Sequence, residues 1–139
     1  MARRRPAPAD IPILIVDDEA AFVQFVQRVL ESGGYTHLMT AASGEAGLEL
    51  CATQGVPALL VTDLKMPRMD GDELAAELRR RDPDLKVLYL TGFADMLFQN
   101  KEVLWEGEAY LEKPCTINGL LEAVSLLLSG EVSADATDT

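Results

Sequence analysis

Five short apolar runs, separated by longer amphipathic segments, constrain the fold of this chain more than any other feature of its sequence. The runs, which read as strands, cover residues 11–16, 36–40, 58–62, 85–90 and 109–111. The segments between and after them, which carry apolar residues at helical spacing, cover residues 19–32, 43–53, 72–81, 95–105 and 117–128. Apolar strands alternating with helices are typical of a parallel sheet covered on both faces. We therefore predict an α/β fold with a doubly wound, five-stranded parallel sheet, (βα)5.

The length of 139 residues suits a single domain. We predict a flexible N-terminal arm over residues 1–10, a folded domain over 11–128 and a disordered acidic tail over 129–139. Neither an apolar run of about 20 residues nor the apolar stretch of a signal peptide is present, so we expect a cytoplasmic protein without membrane contact. Cys51 and Cys115, widely spaced and without nearby His, are expected to be buried thiols.

The charge balance argues against a nucleic-acid partner. The formal net charge is -11, and because Arg3, Arg4 and Arg5 contribute +3, the remaining residues carry -14. Nucleic-acid binding depends on neutralising phosphates with basic side chains. An acidic chain of this kind is better suited to collecting a cation or meeting a basic partner surface.

Polar side chains stand at the ends of four predicted strands. These are Asp17 and Asp18 after the first strand, Asp63 after the third, Thr91 at the end of the fourth and Lys113 after the fifth. The carboxyl ends of parallel strands lie on one edge of the sheet, where doubly wound folds form their sites. We therefore expect three carboxylates, a hydroxyl and an ammonium to converge in one cleft.

This set of groups predicts phosphoryl chemistry. Crowded carboxylates need a counter-ion, and oxygen ligands suit Mg²⁺. An Asp carboxylate can accept a phosphoryl group, whose oxygens Mg²⁺, Lys113 and Thr91 would then contact. Taken singly, an Asp pair is often a helix cap, Asp63 could be a turn residue, and Lys-Pro usually marks a loop. Four strand ends that each carry the residue type needed by one reaction favour the site.

The segments ILIVDDE (13–19), VTDLKMPRMDG (61–71), YLTG (89–92) and YLEKP (110–114) resemble the receiver domain of bacterial response regulators. The resemblance runs from about residue 11 to residue 128, nearly all of the predicted folded chain. It implies the strand order 2-1-3-4-5 of a flavodoxin-like sheet, which is the usual order in such receivers.

The resemblance also implies a role for each matching residue. Asp63 resembles the phosphoacceptor, and Asp18, Asp63 and the backbone carbonyl of Lys65 resemble direct Mg²⁺ ligands. Asp17 is similar to a ligand that acts largely through water. Thr91 and Lys113 resemble the residues that contact the phosphoryl group. Thr91 also resembles the switch hydroxyl that moves towards the phosphoryl group, and Tyr110 resembles the aromatic residue that turns inward on activation.

The partner implied by the resemblance is a histidine kinase or a histidine phosphotransfer protein carrying phosphohistidine. The chain would then be a regulator, catalysing only its own phosphoryl transfer and autodephosphorylation. Positions 65, 93 and 115 vary in the family, and here Lys65 and Phe93 are expected to tune the lifetime of the phosphorylated state. A stand-alone receiver and a receiver from the C-terminal end of a hybrid histidine kinase both stay open.

Two further alternatives are less consistent with the sequence. A haloacid-dehalogenase-type phosphatase also uses an Asp nucleophile at a strand end, but it needs a second Asp two residues later, where this chain has Lys65. A degenerate receiver that binds partners without phosphorylation would not need the complete set of acidic, hydroxyl and lysine side chains.

A partner surface is predicted on the segment 95–105. Phe98 and Trp105 fall on the side opposite to Leu97 and Leu104, so both aromatic rings would face outward if the leucines face the sheet. In receivers, the face formed by this helix, the following strand and the last helix often dimerises or meets targets. The alternative is that the helix is short and that Trp105 folds back into the core.

Overall fold

The computed structural model describes residues 7–92 and 107–129, and its strands form one parallel sheet in the order β2-β1-β3-β4-β5. The strands are β1 (Ile13–Val16), β2 (Leu38–Ala41), β3 (Leu59–Asp63), β4 (Lys86–Thr91) and β5 (Glu108–Glu112). The helices within the described residues are α1 (Ala20–Ser32), α2 (Gly44–Gln54), α3 (Gly71–Arg81) and α4 (Ile117–Ser129). The predicted α/β fold and its strand order are confirmed, whereas the predicted helix over 95–105 lies outside the described residues.

Local hydrogen bonds explain where the central helices begin. The Ser43 hydroxyl oxygen accepts a hydrogen bond from the Ala46 N–H at 3.1 Å, so Ser43 caps α2. Helix α3 begins at Gly71, one residue before the predicted start. Its preceding residue is Asp70, whose N–H donates to the Glu73 carboxylate at 2.9 Å.

The sheet separates two apolar layers because alternate strand residues point to opposite faces. One layer packs α1 and α4 against the sheet, and it includes Ile13, Ile15, Val26, Leu30, Val61, Leu88, Leu120 and Val124. The other packs α2 and α3, and it includes Leu14, Val16, Cys51, Leu60, Leu74, Leu78, Val87 and Tyr89. Both cysteines are free thiols, with Cys51 buried and Cys115 half-buried against the first layer.

Helix α4 presents only part of its apolar side to the core. Leu120 and Val124 are fully buried. Ile117, which the sequence pattern assigns to the same side, is 54% exposed, and Leu126 is 47% exposed. The helix therefore buries two side chains in the core, packs Leu121 and Leu127 against it, and keeps other apolar side chains at the surface. No helix within the described residues is long and apolar enough to span a membrane.

Candidate functional site

Three acidic side chains meet at the carboxyl edge of the sheet. Asp17 and Asp18 follow β1, and Asp63 is the last residue of the neighbouring β3. One carboxylate oxygen from each lies within 4.8 Å of the others, which is a grouping that could hold a metal ion. Asp17 is only 2% exposed, whereas Asp18 is open to solvent. The predicted convergence of these carboxylates is therefore present in the structure.

Lys113 brings a cation to the same edge. It follows β5, and its Nζ donates to Oδ2 of Asp17 at 2.9 Å and to Oδ2 of Asp63 at 3.3 Å. A longer contact of 3.4 Å joins Nζ to Oε1 of Glu19. The Lys113 side chain is 16% exposed, so these contacts are largely shielded from water. An ammonium held between carboxylates at this edge serves as an internal counter-ion.

The electrostatics of the site are unbalanced. Asp17, Asp18 and Asp63 with Lys113 carry three negative charges and one positive charge, leaving a formal charge of -2. Burial raises the pKa of both Asp17 and Asp63, although Lys113 opposes the shift at each. At Lys113 burial disfavours the charged form, but the hydrogen bonds and charges of Asp17 and Asp63 outweigh it and raise its pKa. A site with this excess of negative charge favours a bound cation.

The loop between β3 and α3 is closed tightly behind Asp63. A Cβ placed on Gly71 would lie 2.1 Å from the carbonyl oxygen of Asp63, so a glycine is required at this close approach. The Gly71 N–H donates to the carbonyl of Leu64 at 2.8 Å, and the Asp70 carboxylate accepts from the Met66 N–H at 3.2 Å. These bonds fix the backbone around Lys65, whose exposed side chain lies 3.7 Å from the Asp70 carboxylate.

Thr91 and Tyr110 lie on the two adjoining strands at the sheet edge. Thr91 is fully buried at the end of β4, and its carbonyl accepts a hydrogen bond from the Lys113 N–H at 2.9 Å. The Tyr110 ring stacks on Tyr89 with centroids 5.0 Å apart. The Tyr110 hydroxyl oxygen is buried and has no hydrogen-bond partner among the described residues. The backbone bond thus couples the end of β4 directly to Lys113.

Two neighbours of Lys113 were not predicted from the sequence. Glu19 contacts its ammonium, and the Phe22 ring centroid lies 4.4 Å from Nζ. The acidic run 17–19 contained a signal for Glu19, but nothing in the spacing distinguishes Phe22 from an ordinary core residue of α1. The predicted surface residues Phe98 and Trp105, like Phe93, lie outside the described residues.

The fold and the site together define a doubly wound α/β protein with a cluster of acidic side chains and a lysine at the carboxyl edge of its sheet. Residues 13–125 match the family model of the response regulator receiver domain. The chain therefore belongs to the response regulator receiver domain family. Proteins of this family are generally regulators rather than classical enzymes, and such receivers interact with histidine kinases.

Two relatives from Brucella abortus (strain 2308) illustrate the contexts in which similar domains occur. The chain is 35% identical over 117 residues to the sensor kinase CckA, covering 84% of this chain and 12% of CckA. It is 33% identical over 118 residues to the response regulator receiver protein CpdR, covering 84% of this chain and 95% of CpdR. The chain thus spans a small part of one relative and nearly all of the other.

Solved structures show the same fold. The crystal structure of the receiver domain from the hybrid histidine kinase CckA matches with a TM-score of 0.69 and 31% identity, covering 84% of this chain and 98% of that one. A response regulator receiver domain protein from Clostridium thermocellum matches with a TM-score of 0.71 and 29% identity, covering 89% and 98%.

Proposed function

We propose that this chain is a phosphoryl-accepting receiver of a two-component system, phosphorylated on Asp63 by a histidine kinase or a histidine phosphotransfer protein in a Mg²⁺-dependent reaction. The observation that supports the proposal most is the meeting of three carboxylates and Lys113 at one sheet edge. Asp63 is the acceptor in this proposal because it stands at the end of the central strand β3 with its side chain 12% exposed.

The proposed transfer forms one bond and breaks one. An Asp63 carboxylate oxygen attacks the phosphorus of a phosphohistidine, and the bond between phosphorus and the imidazole nitrogen breaks. The electron pair of that bond stays on the nitrogen, and because the other ring nitrogen of the phosphohistidine carries a proton, the partner recovers neutral imidazole. Attack of water on the acyl phosphate would later release inorganic phosphate and restore the carboxylate. Lys113 can leave the acids it contacts and neutralise charge on the transferred phosphoryl oxygens.

The donor set fits Mg²⁺. We propose that Asp18, Asp63 and the backbone carbonyl of Lys65 bind the ion directly and that Asp17 acts largely through water. The ion, when bound, supplies positive charge to the phosphoryl oxygens. The chain itself holds the ligand oxygens of Asp63 and Lys65 in place. The close approach of Gly71 and the hydrogen bond accepted by Asp70 fix the loop that carries them.

Intact-mass measurement with acetyl phosphate tests the assignment. The wild type in Mg²⁺ should gain one phosphoryl group, and chelator should prevent the gain. Asp63→Asn should remain unlabelled because an amide oxygen is not a comparable nucleophile. Asp84→Asn, which removes an exposed carboxylate away from the site, is the matched control and should label fully. Full labelling of Asp63→Asn would reject Asp63 as the acceptor.

The alternative contexts need a different measurement. Similarity to the receiver of CckA is consistent with a C-terminal receiver from a hybrid histidine kinase, and similarity to CpdR is consistent with a stand-alone receiver. Phosphotransfer from a panel of purified kinases distinguishes partners by rate. A haloacid-dehalogenase-type phosphatase is disfavoured because Lys65 occupies the place of the required second Asp. Turnover of small phosphate esters by the wild type would restore that alternative.

Thr91 and Tyr110 are proposed to transmit phosphorylation to the face that includes β5 and α4, where a homodimer could also form. Phosphorylation adds about -1.5 to -2 charge, to which the Thr91 hydroxyl can donate. An inward shift of Thr91 would leave room for the Tyr110 ring. Thr91→Ala should therefore label on Asp63 but lose the phosphorylation-dependent amide shifts of this face in NMR spectra. Equal shifts in mutant and wild type would contradict the coupling.

A further inference from the structure

We infer that Phe22 is a positioning residue for Lys113, holding the ammonium in place through the face of its aromatic ring while the charges around it change. The inference rests on the proposed function, because it concerns the lysine that would contact the phosphoryl group. Its starting observation is the distance of 4.4 Å between Lys113 Nζ and the Phe22 ring centroid. Cations within about 6 Å of a ring centroid are attracted by the negative face of the ring.

The ammonium of Lys113 stays in one position only if other groups hold it there. It ends a flexible stem whose immobilisation costs rotamer entropy. In the structure the Asp17 and Asp63 carboxylates supply short contacts, and the exposed Glu19 supplies a longer one. All three of these partners are acids, so their hold on Lys113 depends on the charge state of the site. Phe22 is a contact of a different kind because its ring carries no net charge.

The ring of Phe22 is itself well supported. Phe22 lies in the first turn of α1, where its N–H donates to the carbonyl of Glu19 at 3.1 Å. The Glu19 N–H in turn donates to Oδ1 of Asp17 at 2.9 Å, which links the start of the helix to the acidic cluster. The Phe22 ring also packs against Phe25, with centroids 5.6 Å apart. The ring is therefore fixed relative to Asp17 by the helix that carries it.

The two kinds of contact respond differently to the proposed reaction. A cation that shares Asp17 and Asp63 reduces their attraction for Lys113, and phosphorylation converts the Asp63 carboxylate into an acyl phosphate. The attraction of Phe22 for the ammonium does not depend on either event. Phe22 should therefore matter most when Lys113 turns from the acids to the phosphoryl oxygens, and it should matter little for the binding of Mg²⁺.

The first experiment measures initial rates of labelling with acetyl phosphate at saturating Mg²⁺. A small donor is used because docking of a protein partner then makes no contribution. We expect Phe22→Leu to slow labelling about threefold to tenfold, in line with the strength of such contacts. Phe22→Tyr should stay within about twofold of the wild type because tyrosine also presents an aromatic face. Mg²⁺ affinity should change less than about twofold in both variants.

Tyr35→Leu is the matched control, since it removes a buried ring from the same apolar layer beyond the C-terminal end of α1. It should label at close to the wild-type rate. The inference is overturned if Phe22→Leu labels as fast as the wild type, if Phe22→Tyr is as slow as Phe22→Leu, or if Tyr35→Leu is equally slow. A wild type that does not label at all would reject the proposed function instead, so the two failures are distinguishable.

A second readout does not involve the reaction. A lysine stem near an aromatic face experiences the ring current, so the ε-methylene protons of Lys113 should be shifted upfield in NMR spectra of the metal-free wild type. Phe22→Leu should abolish this shift, and Tyr35→Leu should retain it. An unshifted Lys113 signal in the wild type would overturn the contact, and this result stands even if the Phe22 variants fail to fold.

Discussion

Among the described residues, the ion pairs of Lys113 and of Arg79 both involve buried acids, and they are built differently. At the carboxyl edge of the sheet, Lys113 contacts several carboxylates and the cluster keeps an excess of negative charge. Where β5 begins, Glu108 meets Arg79 of α3, with 2.7 Å between Oε2 and Nη2. The Glu108 side chain is fully buried, and its Oε2 also accepts a hydrogen bond from the Tyr89 hydroxyl at 3.2 Å.

The difference separates a functional arrangement from a structural one. Arg79 neutralises the buried Glu108 carboxylate, so this ion pair presents no excess negative charge to a ligand. Lys113 does not neutralise all the carboxylates of its cluster, and Asp18 stays open to solvent. A receiver can therefore use paired charges to join α3 to β5 and unpaired charges to attract a cation, within one small sheet.

The largest effect is expected at the paired group. Glu108→Ala should lower the free energy of unfolding by about 3–5 kcal/mol, because it leaves the largely buried Arg79 without its acid. Urea denaturation followed by circular dichroism measures the loss. Glu112→Ala, at the exposed end of the same strand, is the control and should cost far less. Equal losses in the two variants would remove the distinction between the paired group and an ordinary surface acid.

An intermediate effect is expected from metal at the unpaired group. Mg²⁺ at 100 times its dissociation constant should stabilise the wild type by roughly 2.7 kcal/mol, because the ion binds only the folded cluster. Thermal melts with chelator and with Mg²⁺ measure the change. Glu108→Gln, if it folds, should respond to Mg²⁺ as the wild type does, whereas Asp63→Asn should respond less. A melting temperature of the wild type that ignores Mg²⁺ would contradict the cation site.

The smallest effect has the opposite sign from the first. In chelator, Asp63→Asn should stabilise the protein by about 1 kcal/mol, a change typical in size for a single substitution. The reason is that burial and the charge of Asp17 raise the pKa of Asp63, so its ionised form opposes folding at neutral pH. Lys113 retains Asp17 as a partner in this variant. Destabilisation by Asp63→Asn in chelator would mean that its pairing with Lys113 outweighs the crowding of the acids.

The sequence predicted the sheet and the positions of the site residues because both depend on local pattern. Apolar runs mark the strands, and the parallel arrangement brings their ends together, so Asp17, Asp63 and Lys113 follow from the fold. The pairing of Glu108 with Arg79 was not predicted, because an acid in a strand and an arginine in a distant helix carry no local sign of contact. The same holds for Phe22, whose spacing is that of a core residue.

The close approach at Gly71 also bears on how domains of this kind can diverge. The nearest obstacle to a side chain there is the backbone carbonyl of Asp63, which cannot rotate aside as a flexible side chain would. Lys65, Pro67 and Arg68 in the same loop are exposed and can be exchanged without moving that carbonyl. The outer side chains of the loop can therefore change during evolution, whereas position 71 must remain a glycine.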